Sequence, residues 1–201
     1  MTSTEVSLRL FVALELPDEW ENALGKLQDE MREGLRRRFG DSIRPRWVRP
    51  DGIHLTLKFL GETPASRVEA IETALSNAVP TRPGFSLELA NVGSFANRRA
   101  PRLILATIGG DTKPLYALAE RVETWLAASG WPRDQRGFQP HLTLARLPET
   151  MDDAARRAVA ELTTSYKPPM VASWDVQAVS LIRSNLGPGS ARYERIASFP
   201  A

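Results

Sequence analysis

Two histidines stand in this chain, and each opens the same tetrapeptide: His54-Leu55-Thr56-Leu57 and His141-Leu142-Thr143-Leu144. Imidazole is the side chain best suited to take and give protons near neutral pH. A lone histidine on a strand is usually structural; a matched pair, with no other histidine in the chain, points to joint use. Strand side chains alternate between faces. That alternation predicts His54, Thr56 and Lys58 on one face, with Leu55, Leu57 and Phe59 on the other. The second motif divides likewise, His141 and Thr143 against Leu142 and Leu144.

Two imidazoles flanking two hydroxyls suit phosphoryl transfer. In-line displacement at phosphorus needs a base for the entering oxygen and an acid for the leaving oxygen, on opposite sides. One neutral and one protonated histidine supply both. Threonine hydroxyls can donate to the non-bridging oxygens, where negative charge must be held. No metal or cofactor is required. The rival is a two-histidine metal site, which would want carboxylate or cysteine neighbours. The chain has no cysteine, and the nearest acid, Asp51, falls in a predicted turn.

The elements that must position these motifs read as follows. Leu8–Leu16 is an apolar strand. Pro17 with Asp18 and Glu19 opens a helix that ends at Gly40-Asp41. Its inner face is Trp20, Leu24, Leu27, Met31 and Leu35. Arg46-Trp47-Val48 is a short strand, and Ile53–Leu60 is the first motif strand, closed by Gly61. Pro64 starts a second helix, with Val68, Ile71, Ala74 and Leu75 inward. The second half repeats the order: strand Arg102–Ile108, then a helix capped by Asp111 or Thr112. Leu115, Leu118, Val122, Trp125 and Leu126 form that helix's apolar face. Gly130-Trp131-Pro132 breaks it. The second motif strand His141–Leu147 follows, and Thr150 caps a fourth helix. The histidines are 87 residues apart, as in an internal duplication. Further strands near Phe85–Val92, Val171–Ile182 and Tyr193–Phe199 would complete two sheets. With no linker between the halves, residues 1–201 are expected to form one domain of two intimately packed lobes.

Composition is that of a folded soluble protein, 42% hydrophobic and 25% charged. The net charge is +2 and the pI about 9.2. The arginine runs Arg36-Arg37-Arg38 and Arg98-Arg99, with Arg44, Arg46 and Arg49, suggest an anionic partner, although a solvated helix end and a loop would also carry them. So small a net charge argues against wrapping duplex DNA. Absent cysteine excludes disulfides and thiolate chemistry and fits a reducing cytoplasm. The N-terminal apolar segment is too short and too charged for a signal sequence or a membrane span.

The paired His-x-Thr-x motifs resemble those of the two-histidine (2H) phosphoesterase superfamily. The chain is most similar to its RNA 2′,3′-cyclic phosphodiesterases, also called 2′-5′ RNA ligases, and the likeness covers nearly the whole chain. It is carried by Arg9–Ala13, by Arg46-Trp47-Val48 with His54–Gly61, by Pro101-Arg102 with Phe138–Arg146, and by Tyr193-Glu194 with Phe199-Pro200. The resemblance implies an α+β, bilobal, pseudo-twofold fold, with two antiparallel sheets facing a central groove and helices outside. It implies metal-independent hydrolysis of a terminal 2′,3′-cyclic phosphate to a 2′-phosphomonoester and, in reverse, ATP-independent 2′-5′ joining.

By the same analogy His54 is the proton donor and His141 the proton acceptor, an assignment the symmetry of the motifs does not itself make. Thr56 and Thr143 correspond to phosphate-binding hydroxyls. Phe59 and Arg146 correspond to substrate-binding positions, although simple alternation puts an offset of five from each histidine on the wrong face. Where many relatives carry an aromatic, this chain has Leu105-Ala106, which leaves Trp47, Phe59 or Phe95 as the base-stacking surface. The expected partner is RNA with a 2′,3′-cyclic phosphate end or a small cyclic nucleotide, for a cytoplasmic monomer without membrane attachment. The alternatives are an enzyme for another small cyclic phosphate, such as an ADP-ribose derivative, and a non-catalytic RNA-end binding module.

Overall fold

The apolar run after Leu8 becomes a strand buried on both faces. In the computed structural model, which describes residues 6–80, 84–94, 101–185, 187 and 191–201, β1 (Ser7–Glu15) is buried from Leu10 to Leu14. It is flanked by β3 (His54–Pro64) and β8 (Ala178–Asn185), both antiparallel to it. Helix α1 (Asp18–Phe39) packs Trp20, Leu24, Leu27, Met31 and Leu35 inward and carries acids in its first turn and arginines in its last, matching its macrodipole. Arg36, Arg37 and Arg38 thus form an exposed, solvated helix end. The short β2 (Arg46–Trp47) follows, then β3 and α2 (Val68–Ala78).

β4 (Ser86–Gly93) ends the first half, and the second half supplies β5 (Leu103–Gly110), α3 (Thr112–Ala128), β6 (His141–Arg146), α4 (Asp153–Thr164), β7 (Trp174–Asp175), β8 and β9 (Arg192–Pro200). The sheet order is β7-β4-β5-β6-β3-β1-β8-β9, with β2 on β6. The two expected antiparallel sheets are therefore two leaves, β3-β1-β8-β9 and β6-β5-β4-β7, joined through one register pair, Leu55 with Leu142. The strand after α2 crosses to the second leaf, where β4 pairs with β5. After α4, β7 stays in the second leaf on β4, and β8 crosses to the first, where it pairs with β1. The second leaf thus takes β4 from the first half and the first leaf takes β8 and β9 from the second, which is why no linker separates them. One hydrophobic cluster spans both. No described helix is long and apolar enough to cross a membrane.

Several local expectations are corrected. β3 does not close at Gly61 but runs to Pro64, because its pairing with β1 continues to Ser7; Gly61 adopts φ +72° within it. Helix α2 starts at Val68 after a short 3-10 turn. Trp125 is 41% exposed, and Ala119 fills the core position instead. The cap of α4 is Asp152, not Thr150: its Oδ1 accepts from the Ala155 N–H at 2.7 Å. The expected strand Val171–Ile182 is two strands in different leaves, β7 on β4 and β8 on β1.

Candidate active site

β3 and β6 lie antiparallel where the leaves meet. With Leu55 opposite Leu142, the same register carried one residue each way sets His54 against Thr143 and Thr56 against His141. The leucines at these centres are fully buried, while the histidines and threonines are half-buried on the groove face. Both imidazoles are held alike. His54 Nδ1 lies 2.8 Å from the Gly52 carbonyl, and His141 Nδ1 lies 2.7 Å from the Gln139 carbonyl. A carbonyl only accepts, so each Nδ1 carries the hydrogen and each Nε2 is left for proton exchange. A Cβ at Gly52 would meet the Tyr193 ring at 3.2 Å, so a side chain there would have to push that ring aside by a few tenths of an ångström.

The two strands share a second device. Between Ala13 and Val12 the partner on β3 jumps from Thr56 to Lys58, leaving Leu57 as a bulge. Between Leu105 and Ile104 the partner on β6 jumps from Thr143 to Ala145, leaving Leu144 as the matching bulge. A bulge reverses the alternation beyond it. Phe59, the partner of Phe11, therefore returns to the face of Thr56, and Arg146 to the face of Thr143. Phe59 is 67% exposed there. Both substrate-binding candidates thus stand on the groove face.

Lys58 does not. The same bulge turns it away from His54 and Thr56, and it is buried, with Nζ 2.8 Å from both Glu123 carboxylate oxygens and from the Pro132 carbonyl. The Leu144 bulge is held in turn by Gln28 of α1, whose Nε2 donates to the Leu144 and Val48 carbonyls at 2.9 and 2.8 Å. Of the two described stacking candidates, Phe59 is the one exposed on the groove face, while Trp47 lines the cleft beside Arg46 with its ring partly buried. Trp47 is the register partner of Ala145, and its ring is covered by the Arg32 guanidinium at 5.2 Å. Phe95, like the Arg98-Arg99 run, lies outside the described residues.

Three neighbours of His54 carried no signal as site residues in the sequence. Phe11 stacks on its ring at 4.6 Å and Tyr193 meets it edge-on at 5.0 Å. Glu15 is its register partner on β1 and accepts from Ser180 Oγ at 2.5 Å and Arg195 Nε at 2.6 Å. Burial pushes His54 down to about 4; Arg146 and His141 add to the fall, against the Gly52 carbonyl and Glu15, which raise it. Burial also lowers His141, with Arg146 again adding and the Gln139 carbonyl opposing. In the free protein both rings are neutral at pH 7.

The groove widens into a cleft on each side of the histidines. One, about 640 Å³, has among its lining Arg46, Trp47, Arg49 with Asp51, Gly52, Arg146, Arg192 and Tyr193. The other, about 770 Å³, includes Thr56, Phe59, Tyr116, Arg136, Phe138 and His141, with Tyr116 and Phe138 edge to face at 5.5 Å. A third cleft between α1 and residues 167–171 touches neither motif. Among the described residues, no group of three or more His, Asp or Glu side chains converges as metal ligands would. The site can move two protons across a bound anion.

Comparisons with known proteins bear on the family and the fold. The model of the 2′-5′ RNA ligase superfamily matches residues 16–188. An RNA 2′,3′-cyclic phosphodiesterase of Geobacillus stearothermophilus is 28% identical over 190 residues, which is 94% of this chain but only 56% of that longer protein. A protein of the same name from Methanothermobacter thermautotrophicus is 25% identical over 195 residues, 96% of this chain and 99% of its own. The crystal structure of E. coli LigT complexed with 3′-AMP superposes with a TM-score of 0.69 at 26% identity, covering 97% of this chain and 98% of that one.

Proposed function

Because this chain belongs to the 2′-5′ RNA ligase superfamily, we propose that its paired histidines hydrolyse the 2′,3′-cyclic phosphate at an RNA end to a 2′-phosphomonoester. The observation that carries this reading is the Leu55–Leu142 pair, which sets two Nδ1-tethered imidazoles and two threonines on one groove face. The relatives with named activity are RNA 2′,3′-cyclic phosphodiesterases, and the superposed LigT holds 3′-AMP. Neither lends support to an ADP-ribose substrate or a purely binding module.

The cyclic phosphate sits between the motifs, its non-bridging oxygens accepting from Thr56, Thr143 and Arg146. His141 Nε2 takes a proton from water as the water oxygen forms its bond to phosphorus. The bond from phosphorus to the 3′ oxygen breaks in line, and His54 Nε2–H protonates that oxygen. One imidazole ends protonated and the other neutral, and exchange with solvent resets them. His54 is deprotonated at pH 7 in the free protein, so its role as donor depends on the substrate's negative charge to draw a proton onto the ring. The same displacement with a 5′-end hydroxyl oxygen in place of water, again breaking the bond from phosphorus to the 3′ oxygen, is 2′-5′ joining without ATP. The protein works as a cytoplasmic monomer, one domain of two lobes, a reading supported by its cysteine-free composition and its strand exchange.

The test is hydrolysis of an oligonucleotide ending in a 2′,3′-cyclic phosphate, in EDTA, by the unaltered chain, His54→Ala and His141→Ala. Conversion to a 2′-phosphate, reduced about 10²-fold or more in each variant, is the expected result. Turnover abolished by EDTA, or no turnover at all, would overturn the reading.

A further inference from the structure

The two clefts beside the histidines differ in a way that the catalytic step does not require. In the β2–β6 register Arg46 lies directly opposite Arg146. Like charges in direct cross-strand register destabilise a sheet. Among the described residues neither guanidinium has an ion-pair or hydrogen-bond partner, and the same is true of Arg192 in the same cleft. The opposite cleft is the internal control. Its Arg133 stands at the position equivalent to Arg46, 87 residues on, and is paired with Glu120 at 2.7 Å; Arg136 is paired with Asp134. Arg49, the equivalent of Arg136, is likewise neutralised by Asp51. Among the described residues of the two clefts, Arg46, Arg146 and Arg192 are the arginines left uncompensated, beside the Arg49–Asp51 pair, and their cleft adjoins His54 through Gly52 and Tyr193.

We infer that Arg46 and Arg192 with Arg146 form a second anion subsite, which takes the phosphodiester on the 5′ side of the terminal nucleotide. The substrate class is then the end of an RNA strand and not a free cyclic mononucleotide. This rests on the function proposed above. Arg146 acts electrostatically on both imidazoles and so lies near the reacting phosphate, while Arg46 is one strand spacing away, about 4.8 Å between backbones. Long flexible guanidinium arms cover the remaining span of one nucleotide. The other cleft, with exposed Phe59 and the Tyr116–Phe138 pair, offers the terminal base its aromatic surface. A bound phosphodiester also relieves the repulsion between Arg46 and Arg146, so the anion is favoured by the fold as well as by its own contacts.

The experiment compares kcat/KM for adenosine 2′,3′-cyclic phosphate with that for the adenylyl dinucleotide ending in the same group. The unaltered chain is expected to favour the dinucleotide by about 10-fold or more, the worth of one charge-assisted contact. Arg46→Gln and Arg192→Gln are each expected to shrink that ratio and to flatten the salt dependence of KM for the dinucleotide. Equal kcat/KM for the two substrates, or losses in the variants that are the same for both, would overturn the subsite. Calorimetric binding of the 2′-phosphorylated dinucleotide against adenosine 2′-phosphate needs no turnover and separates the two proposals. Tighter, Arg46-dependent binding of the dinucleotide without hydrolysis keeps the subsite and removes the proposed reaction; equal binding removes the subsite. Arg46→Gln deletes one of two facing cations, so its Tm is expected to hold or rise. A fall of several degrees would mark Arg46 as structural and overturn its assignment.

Discussion

Leu55 of β3 and Leu142 of β6 face each other across the join of the two leaves, and this pair is the centre of the site's pseudo-twofold symmetry. Each imidazole sits opposite the threonine of the other motif because of it. Both leucines are fully buried. Leu55→Ala and Leu142→Ala should each cost about 2–5 kcal/mol in transfer and cavity terms, with activity falling in proportion as the two groove faces lose their spacing. Urea unfolding of the two variants measures this. A loss below about 1 kcal/mol would show that the join does not depend on them.

Stability should depend on pH through His54. Burial holds its folded pKa at about 4 against an ordinary 6.5, so the unfolded chain binds the proton more readily. The contribution is present in full above about pH 6.5 and is lost as pH falls toward about 4. The pKa difference corresponds to at most about 3 kcal/mol. Between pH 7.5 and 4 the urea midpoint of the unaltered chain should fall relative to that of His54→Gln, whose side chain does not titrate. Parallel curves would contradict the burial.

Catalysis should show the same electrostatics from the other direction. Both imidazoles titrate below the ordinary histidine value in the free protein. For one acid and one base, kcat/KM should therefore peak below about pH 6.5 and fall above it as the acid loses its proton. The bound phosphate raises both rings, so the kcat profile should lie at higher pH than that of kcat/KM. Arg146→Gln removes a cause of the depression and should move the kcat/KM peak upward. A peak for kcat/KM above about pH 7.5 in the unaltered chain would refute this account.

The elements that carry the site were largely legible because their signals are local. Trp20, Leu24, Leu27, Met31 and Leu35 mark the buried face of α1 by spacing alone, and the doubled motif marks the histidines. Alternation failed at Lys58 and Phe59, since the bulge at Leu57 inserts an unpaired residue that composition does not announce. The neighbours Phe11, Glu15 and Tyr193 reach His54 from β1 and β9 through pairings distant in sequence. The cap of α4 shifted from Thr150 to Asp152 because either residue can cap a helix, and only the path of the chain after Pro148 selects between them.

Phe59 gives the bulge a kinetic consequence. It is exposed on the groove face, so Phe59→Ala should leave Tm nearly unchanged. Base–aromatic stacking is worth about 1–3 kcal/mol per base, so KM for a cyclic-phosphate RNA end should rise by roughly 5-fold to 100-fold with a smaller change in kcat. Were Phe59 instead a packing residue, the variant would lose stability and KM would stay put.

The Lys58–Glu123 pair extends the effect of the bulge to the second motif. Lys58 is 4% exposed and Glu123 16%, and Glu123 also accepts from the Asp134 N–H at 2.6 Å while Lys58 donates to the Pro132 carbonyl. These bonds fix the segment that leads to Gln139, whose carbonyl holds the His141 ring. Breaking a buried pair from one side costs about 3–5 kcal/mol. Lys58→Met should therefore destabilise by that amount and lower kcat, because His141 loses the anchor of its supporting loop. The double variant Lys58→Met/Glu123→Leu should regain most of the stability, having no uncompensated charge, but not the kcat, since Pro132 and Asp134 remain unheld. Denaturation curves and turnover of the three proteins distinguish the two effects. Full recovery of kcat in the double variant would mean that the pair serves stability alone.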